Sequence, residues 1–278
     1  MRIGANMEFI SRYVAKTPDA QGIIVYSEAE NRVWQQLYER QIKMVSGRAS
    51  QEFIQGVSLL ALTSDRIPQL PEVSQRLKKL TGWQVTPVEA LISARAFFEL
   101  LANHQFPAAT FIRFQEELDY VKEPDIFHEL FGHCPMLTNP VFADFIHQYA
   151  CKVLSFPEAD WPLLQRLFWF TVEFGLINTK DGLRAYGGGI LSSICETPYC
   201  VENDAPLRVL FNPVAAFRTP YRIDCLQSVY FVIEDYQVLY DFVVQDLAVL
   251  MKRARELGEY PPLFPVDANN PNIHILAC

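Results

Sequence analysis

Residues 124 to 137 read PDIFHELFGHCPML and set His128 and His133 around Glu129 in a largely apolar stretch. The arrangement suggests the H-E-x-x-H helix of zinc hydrolases, where a spacing of four stacks two imidazoles on one helical face. Here the spacing is five. At about 100° per residue, an uninterrupted α-helix would hold the rings roughly 140° apart, too far round to share an ion. Glycine tolerates the backbone that ends a helix and proline stops one from resuming, so Gly132 and Pro135 predict a break that lets His133 swing back towards His128. A single histidine among apolar neighbours is more often a core residue. Two of them, in a chain with only five and with a helix-breaking glycine between, point to a metal.

Two imidazoles need further ligands. LFWFTVEFGL, residues 167 to 176, carries one carboxylate, Glu173, in an uncharged surrounding. Burying it unpaired costs several kcal/mol, so it calls for a metal or, as the alternative, a cationic partner. Two histidines and one carboxylate leave three positions open on a metal, which suits Fe(II) and dioxygen better than a closed structural zinc site. Phe127, Phe131, Trp169, Phe170 and Phe174 could line a dry pocket there, although such a set at helical spacing also describes ordinary core. A zinc hydrolase with Glu129 as general base is the rival reading.

The rest of the chain limits the partners. Half of its 278 residues are hydrophobic, enough for a substantial core, and the net charge of -8 with dispersed basic residues argues against nucleic acid or an anionic membrane. A small molecule is the expected partner. The start, MRIGANMEFISRYVAK, lacks the apolar run of a signal peptide, and no segment approaches a membrane span, so the expected location is the cytosol. Cys134, Cys151, Cys195, Cys200, Cys225 and Cys278 form no C-x-x-C pair and read as reduced thiols.

Helical periodicity runs through residues 27 to 44, with a capping box at Ser27 and Glu30 and with Val33, Leu37 and Ile42 facing inward. Further helices are expected in PEVSQRLKKL, PVEALISARAFFELLANH, PVFADFIHQYACKVL and WPLLQRLFWFTVEFGLI. GIIVY at 22 to 26 and the segments around Arg184-Ala185-Tyr186 and Tyr221-Arg222-Ile223 read as short strands. No repeat or linker divides the chain, and YPPLFPVDANNPN reads as an extended surface tail. The fold class expected is predominantly α with a few short β-strands, in one domain spanning residues 1 to 278, with 1–20 as an extension and 258–278 as a tail.

PDIFHELFGHCPML, FWFTVEFGL and AYGGGILSSICE, in this order and spacing, resemble the pterin-dependent aromatic amino acid hydroxylases across roughly residues 80 to 240. The resemblance implies a helical basket with short strands. It puts the iron ligands on His128, His133 and Glu173, the substrate carboxylate on Arg113, and the substrate ring against Pro124, His128, Trp169 and Phe174. Ser192 falls where a hydroxyl supports a histidine ligand. Asp125 falls in the same polar shell or, equally, at a helix N-cap.

For the pterin, the resemblance implies stacking on Phe97, backbone contacts near Leu91 and Ile92, and Glu129 as a polar neighbour. Ala94 replaces a serine found in the mammalian enzymes and Val121 a threonine near the substrate backbone, which bears on cofactor affinity and substrate contacts. The triple glycine lacks a phosphate-loop register and reads as a close-packed turn that positions Ser192 and Ser193. YFVIEDY resembles the phenylalanine enzymes of the family, with Val232 apolar where the tyrosine enzymes tend to carry an acid, which implies phenylalanine as substrate. The implied reaction is phenylalanine to tyrosine with O2, Fe(II) and a tetrahydropterin, either tetrahydrobiopterin or a related bacterial pterin. The expected protein is a monomer or small oligomer without a regulatory domain or heptad tail.

Overall fold

Side-chain caps start most of the longer helices. In α1 (Glu28–Val45) Ser27 and Glu30 form the expected capping box, satisfying donors that a helix start leaves free. Val33 and Leu37 are buried there, and Ile42 is half-buried. Helices α2 (Gln51–Leu59) and α3 (Leu70–Leu80) follow. The computed structural model describes residues 11–89 and 92–264, so Leu91 and residues 265–278 of the proline-rich ending lie outside the described residues.

The expected helix over residues 87 to 104 is divided. Residues up to Val88 belong to β1 (Gln84–Val88), which pairs in parallel with β2 (Gln105–Ala109); the helix between them, α4 (Ala94–Ala102), starts only where the Ser93 side chain accepts from the Ala96 amide. The helix expected over 140–154 is found as α5 (Pro140–Leu154), opened by Asn139 and Pro140. Phe142, Phe145, Ile146, Tyr149 and Val153 recur at three and four residues and are all buried as α5 packs against α4 and α10 (Gln237–Val243). Each such side chain contributes about 1.5–3 kcal/mol by burial.

The run from 161 to 177 is three structures. It begins as α6 (Trp161–Phe168), widens into a π-helical turn over Trp169–Glu173, and leaves as strand β3 (Leu176–Thr179). The second sheet contains β4 (Gly182–Ala185), β5 (Leu207–Leu210) and β6 (Val229–Ile233) in the order β4-β3-β6-β5, with only the β3–β4 pair antiparallel. Val232 is buried in β6 opposite Leu176 and Leu210. Short helices α7 (Gly188–Leu191), α8 (Glu196–Glu202) and α9 (Pro213–Arg218) cross between the strands, and α11 (Leu247–Leu257) packs on α9.

Two expected strands are absent. GIIVY forms no ladder, because the Gln69 side chain takes both backbone groups of Ile24: the Ile24 amide donates to Oε1 at 2.8 Å and Nε2 donates to the Ile24 carbonyl at 3.0 Å. Tyr221-Arg222-Ile223 is a turn in which Arg222 grips Asp224 twice. The segment at Arg184-Ala185 is β4 as expected. The start of the proline-rich ending is docked and not free: Arg218 donates to the Gly258 carbonyl at 2.6 Å and Arg166 pairs with Glu259 at 2.5 Å. The five described cysteines are free thiols, and no described helix is long and apolar enough to cross a membrane.

Candidate metal centre

The helix does not break at Gly132. His128–His133 is a π-helical turn, closed by the Cys134 amide on the Glu129 carbonyl, and its i to i+5 hydrogen bonding brings residues five apart onto one face. Gly132 has another task. A Cβ there would meet the Gly188 carbonyl oxygen at 2.7 Å and Ser192 Cβ at 3.1 Å, so the residue is glycine because α7 lies directly on it. Glu173 likewise ends a π turn, closed by the Phe174 amide on the Trp169 carbonyl.

Two π turns therefore aim three donors at one point. His128 Nε2 and His133 Nε2 are 3.1 Å apart, and Glu173 Oε2 lies 3.2 Å from His133 Nε2 and 3.8 Å from His128 Nε2. Neighbouring ligands of an octahedral ion with bonds of about 2.1 Å stand about 3 Å apart, so this triangle is one face of such an ion. Among the described residues no other group of histidine, cysteine and carboxylate donors converges this way.

The triple glycine packs behind His133 and Glu173. A Cβ on Gly187 would lie 2.3 Å from the Glu173 carbonyl oxygen, one on Gly188 2.4 Å from the His133 ring, and one on Gly189 3.0 Å from the Phe174 ring. Ser192 Oγ sits 2.9 Å from His128 Nδ1 and 2.8 Å from the Gly188 carbonyl. A hydroxyl has one proton, and the carbonyl can only accept it, so His128 Nδ1 carries the hydrogen and Nε2 keeps its lone pair for a metal. Burial, and after it His133, push His128 down to about 4, which leaves the imidazole neutral at pH 7. Against its own burial, the Glu173 carboxylate raises His133. A cation placed between them would take over that attraction, so the donor set fits Fe(II).

Asp125 does both things the sequence allowed. Its carboxylate accepts the His128 amide at 3.0 Å, and it also takes Nε, Nη2 and the backbone amide of Arg113 at 2.8–2.9 Å. Both residues of this ion pair are buried. Burial alone would raise the Asp125 carboxyl, but the Arg113 guanidinium and these donors hold it below the ordinary carboxylate range. Burial, offset by His133 and reinforced by Glu173, pushes half-buried Glu129 up to about 8.

The expected aromatic lining divides in two. Phe127 and Phe131 stack at 4.9 Å and pack on Trp34, Tyr38 and Phe53, while Phe170 packs on Phe231; these three are core. Trp169 and Phe174, 4.6 Å apart, are half-buried beside Glu173, as is Pro124 near His128. Phe97 is half-buried against Phe168, and Ile92 is half-buried. Sequence reasoning missed Phe106, whose ring leans on His133 at 5.2 Å, and Tyr221, which stacks on Trp169 at 4.4 Å. Both come from other elements, and no local pattern marks them. An apolar cavity of about 470 Å³ opens beyond Tyr221, lined by Leu210, Leu226, Phe231 and Leu263, and the three donors take no part in it.

The family description "Biopterin-dependent aromatic amino acid hydroxylase" matches residues 7–261. Phenylalanine-4-hydroxylase of Pseudomonas aeruginosa is 52% identical over 255 residues, 92% of this chain and 97% of that one. The phenylalanine hydroxylase structure of Legionella pneumophila superposes with a TM-score of 0.90 at 71% identity, covering 91% of this chain and 100% of that chain. That of Chromobacterium violaceum with bound oxidized Fe(III) gives 0.82 at 41%, covering 88% and 91%. The chain belongs to the biopterin-dependent aromatic amino acid hydroxylases, which removes the zinc-hydrolase reading of Glu129.

Proposed function

We propose that His128, His133 and Glu173 hold one Fe(II) in an enzyme that hydroxylates L-phenylalanine. The chain acts as a phenylalanine 4-monooxygenase, converting L-phenylalanine to L-tyrosine with O2 and a tetrahydropterin. The observation that carries this reading is the three-donor face with its Ser192-directed tautomer, set in a chain so close to phenylalanine-4-hydroxylases. When bound, Fe(II) and the pterin supply the reducing power that activates O2 for insertion of one oxygen atom into the ring.

The protein's own part is positioning. Asp125 holds the Arg113 guanidinium by Nε and Nη2, which leaves the Nη1 edge to grip the substrate carboxylate. Pro124, Trp169 and Phe174 form an apolar wall for the substrate ring beside the donors and keep water from it. Phe97 stacks the pterin, with Ile92 at its edge and Glu129 as a polar neighbour. We read the chain as one catalytic unit working in the cytosol, as a monomer or small homo-oligomer. Anaerobic loading with Fe(II), then phenylalanine, a tetrahydropterin and air, should give tyrosine by chromatography. Equal tyrosine from Glu173→Ala, with a full complement of iron, would sink the ligand assignment.

A further inference from the structure

The Trp169 indole is held on three sides. Tyr221 stacks on it at 4.4 Å with the planes 20° apart, and Phe174 lies 4.6 Å away. On the third side its Nε1–H donates to Gln227 Oε1 at 3.1 Å, across 58 residues of sequence. Gln227 is itself buried, 4% exposed, and can present only that oxygen to the indole. Its Nε2 donates to the Arg222 carbonyl at 2.7 Å and the Cys225 carbonyl at 3.2 Å, so a flipped amide would set two donors face to face. Its backbone amide donates to Glu196 Oε1 at 3.0 Å, and the same carboxylate oxygen accepts from the Tyr230 hydroxyl. Glu196 lies four residues beyond Ser192, in α8.

We propose that Gln227 is a positioning residue for phenylalanine hydroxylation: it pins the Trp169 indole so that the aromatic wall keeps one attitude to the substrate ring. The inference rests on the assignment of Trp169 to the substrate wall. Stacking alone leaves an aromatic ring free to slide in its own plane, and the hydrogen bond at Nε1 removes that freedom. A ring whose wall shifts sits less consistently over the iron, so pterin is oxidised without tyrosine being formed.

A double-mutant cycle on the Fe(II)-loaded enzyme tests this, with Gln227→Met, Trp169→Phe and the pair together. Gln227→Met leaves the indole donor without this partner and should raise the phenylalanine KM by about five- to tenfold and lower tyrosine made per pterin consumed, with the pterin KM unchanged. The Trp169 indole N–H resonance, identified by its loss in Trp169→Phe, should move upfield in the Gln227→Met variant. In the Trp169→Phe background no indole donor remains, so adding Gln227→Met should change the phenylalanine KM by less than about twofold. An equal cost in both backgrounds would mean that Gln227 merely braces the 222–227 turn, and the pin is overturned. A Trp169→Phe variant with unaltered KM and tyrosine yield would take away the substrate-wall assignment and the pin with it. Should Gln227→Met not fold, Gln227→Asn keeps the amide but is one methylene too short to reach Nε1: it should show the same rise in phenylalanine KM and fall in tyrosine yield, and wild-type values of both overturn the proposal.

Discussion

Ser192 has one proton and gives it to the Gly188 carbonyl, which obliges His128 to donate from Nδ1. Removing the hydroxyl frees the imidazole to rotate or change tautomer. Ser192→Ala should therefore keep the fold and lose about 10- to 100-fold in iron affinity or activity, measured as metal bound at limiting Fe(II) and as turnover. Arg113 is different in kind, because its buried guanidinium already holds Asp125 and, in the proposed site, must also grip the substrate carboxylate. Arg113→Lys should weaken phenylalanine binding by about 2–4 kcal/mol while leaving pterin affinity nearly unchanged, since a point charge cannot serve both the Asp125 fork and a carboxylate. A phenylalanine titration unchanged in that variant would remove Arg113 from the substrate site.

At the scale of elements, the site depends on how closely α7 approaches the two π turns. Gly188→Ala would place a methyl 2.4 Å from the His133 ring, whose neighbours leave it nowhere to go. The expected cost is about 1–3 kcal/mol of stability with a marked loss of bound iron, read by thermal unfolding and metal content. Far from the site, Ser27→Ala should cost about 1 kcal/mol through the lost α1 cap and leave iron binding alone. Together the two variants separate a packing fault at the donors from one in the scaffold.

The whole molecule carries the Asp125–Arg113 pair as a buried charge pair that stability depends on. The Asp125 carboxyl is lower in the folded than in the unfolded chain, so its contribution is present above the ordinary value of 3.8 and is lost as pH falls through the folded value. Asp125→Asn strands a buried guanidinium and should cost about 3–5 kcal/mol at pH 7. The gap between wild type and variant should narrow below about pH 4, which denaturant unfolding at several pH values would reveal. A constant gap down to pH 2 would show that the Asp125 charge is not what stabilises the fold there.

Local sequence by itself determined the donors and much of the helical scaffold. His128, His133 and Glu173 were legible because three ionisable groups in apolar surroundings need a partner, and α1 and α5 because their caps and three-and-four spacing are written in contiguous residues. Only the tertiary structure decided how the donors meet. A π turn is rare and no residue pattern announces it, so the i to i+5 bonding across Gly132 shows itself only in the fold, where the α7 backbone presses on that glycine. The same holds for Ile24, whose strand-like pattern was claimed by the side chain of Gln69. It holds also for Trp169, fixed by Tyr221 and Gln227 more than fifty residues away. Periodicity reports which face of a segment is apolar; what that face meets is set by packing between distant elements, and no local pattern records it.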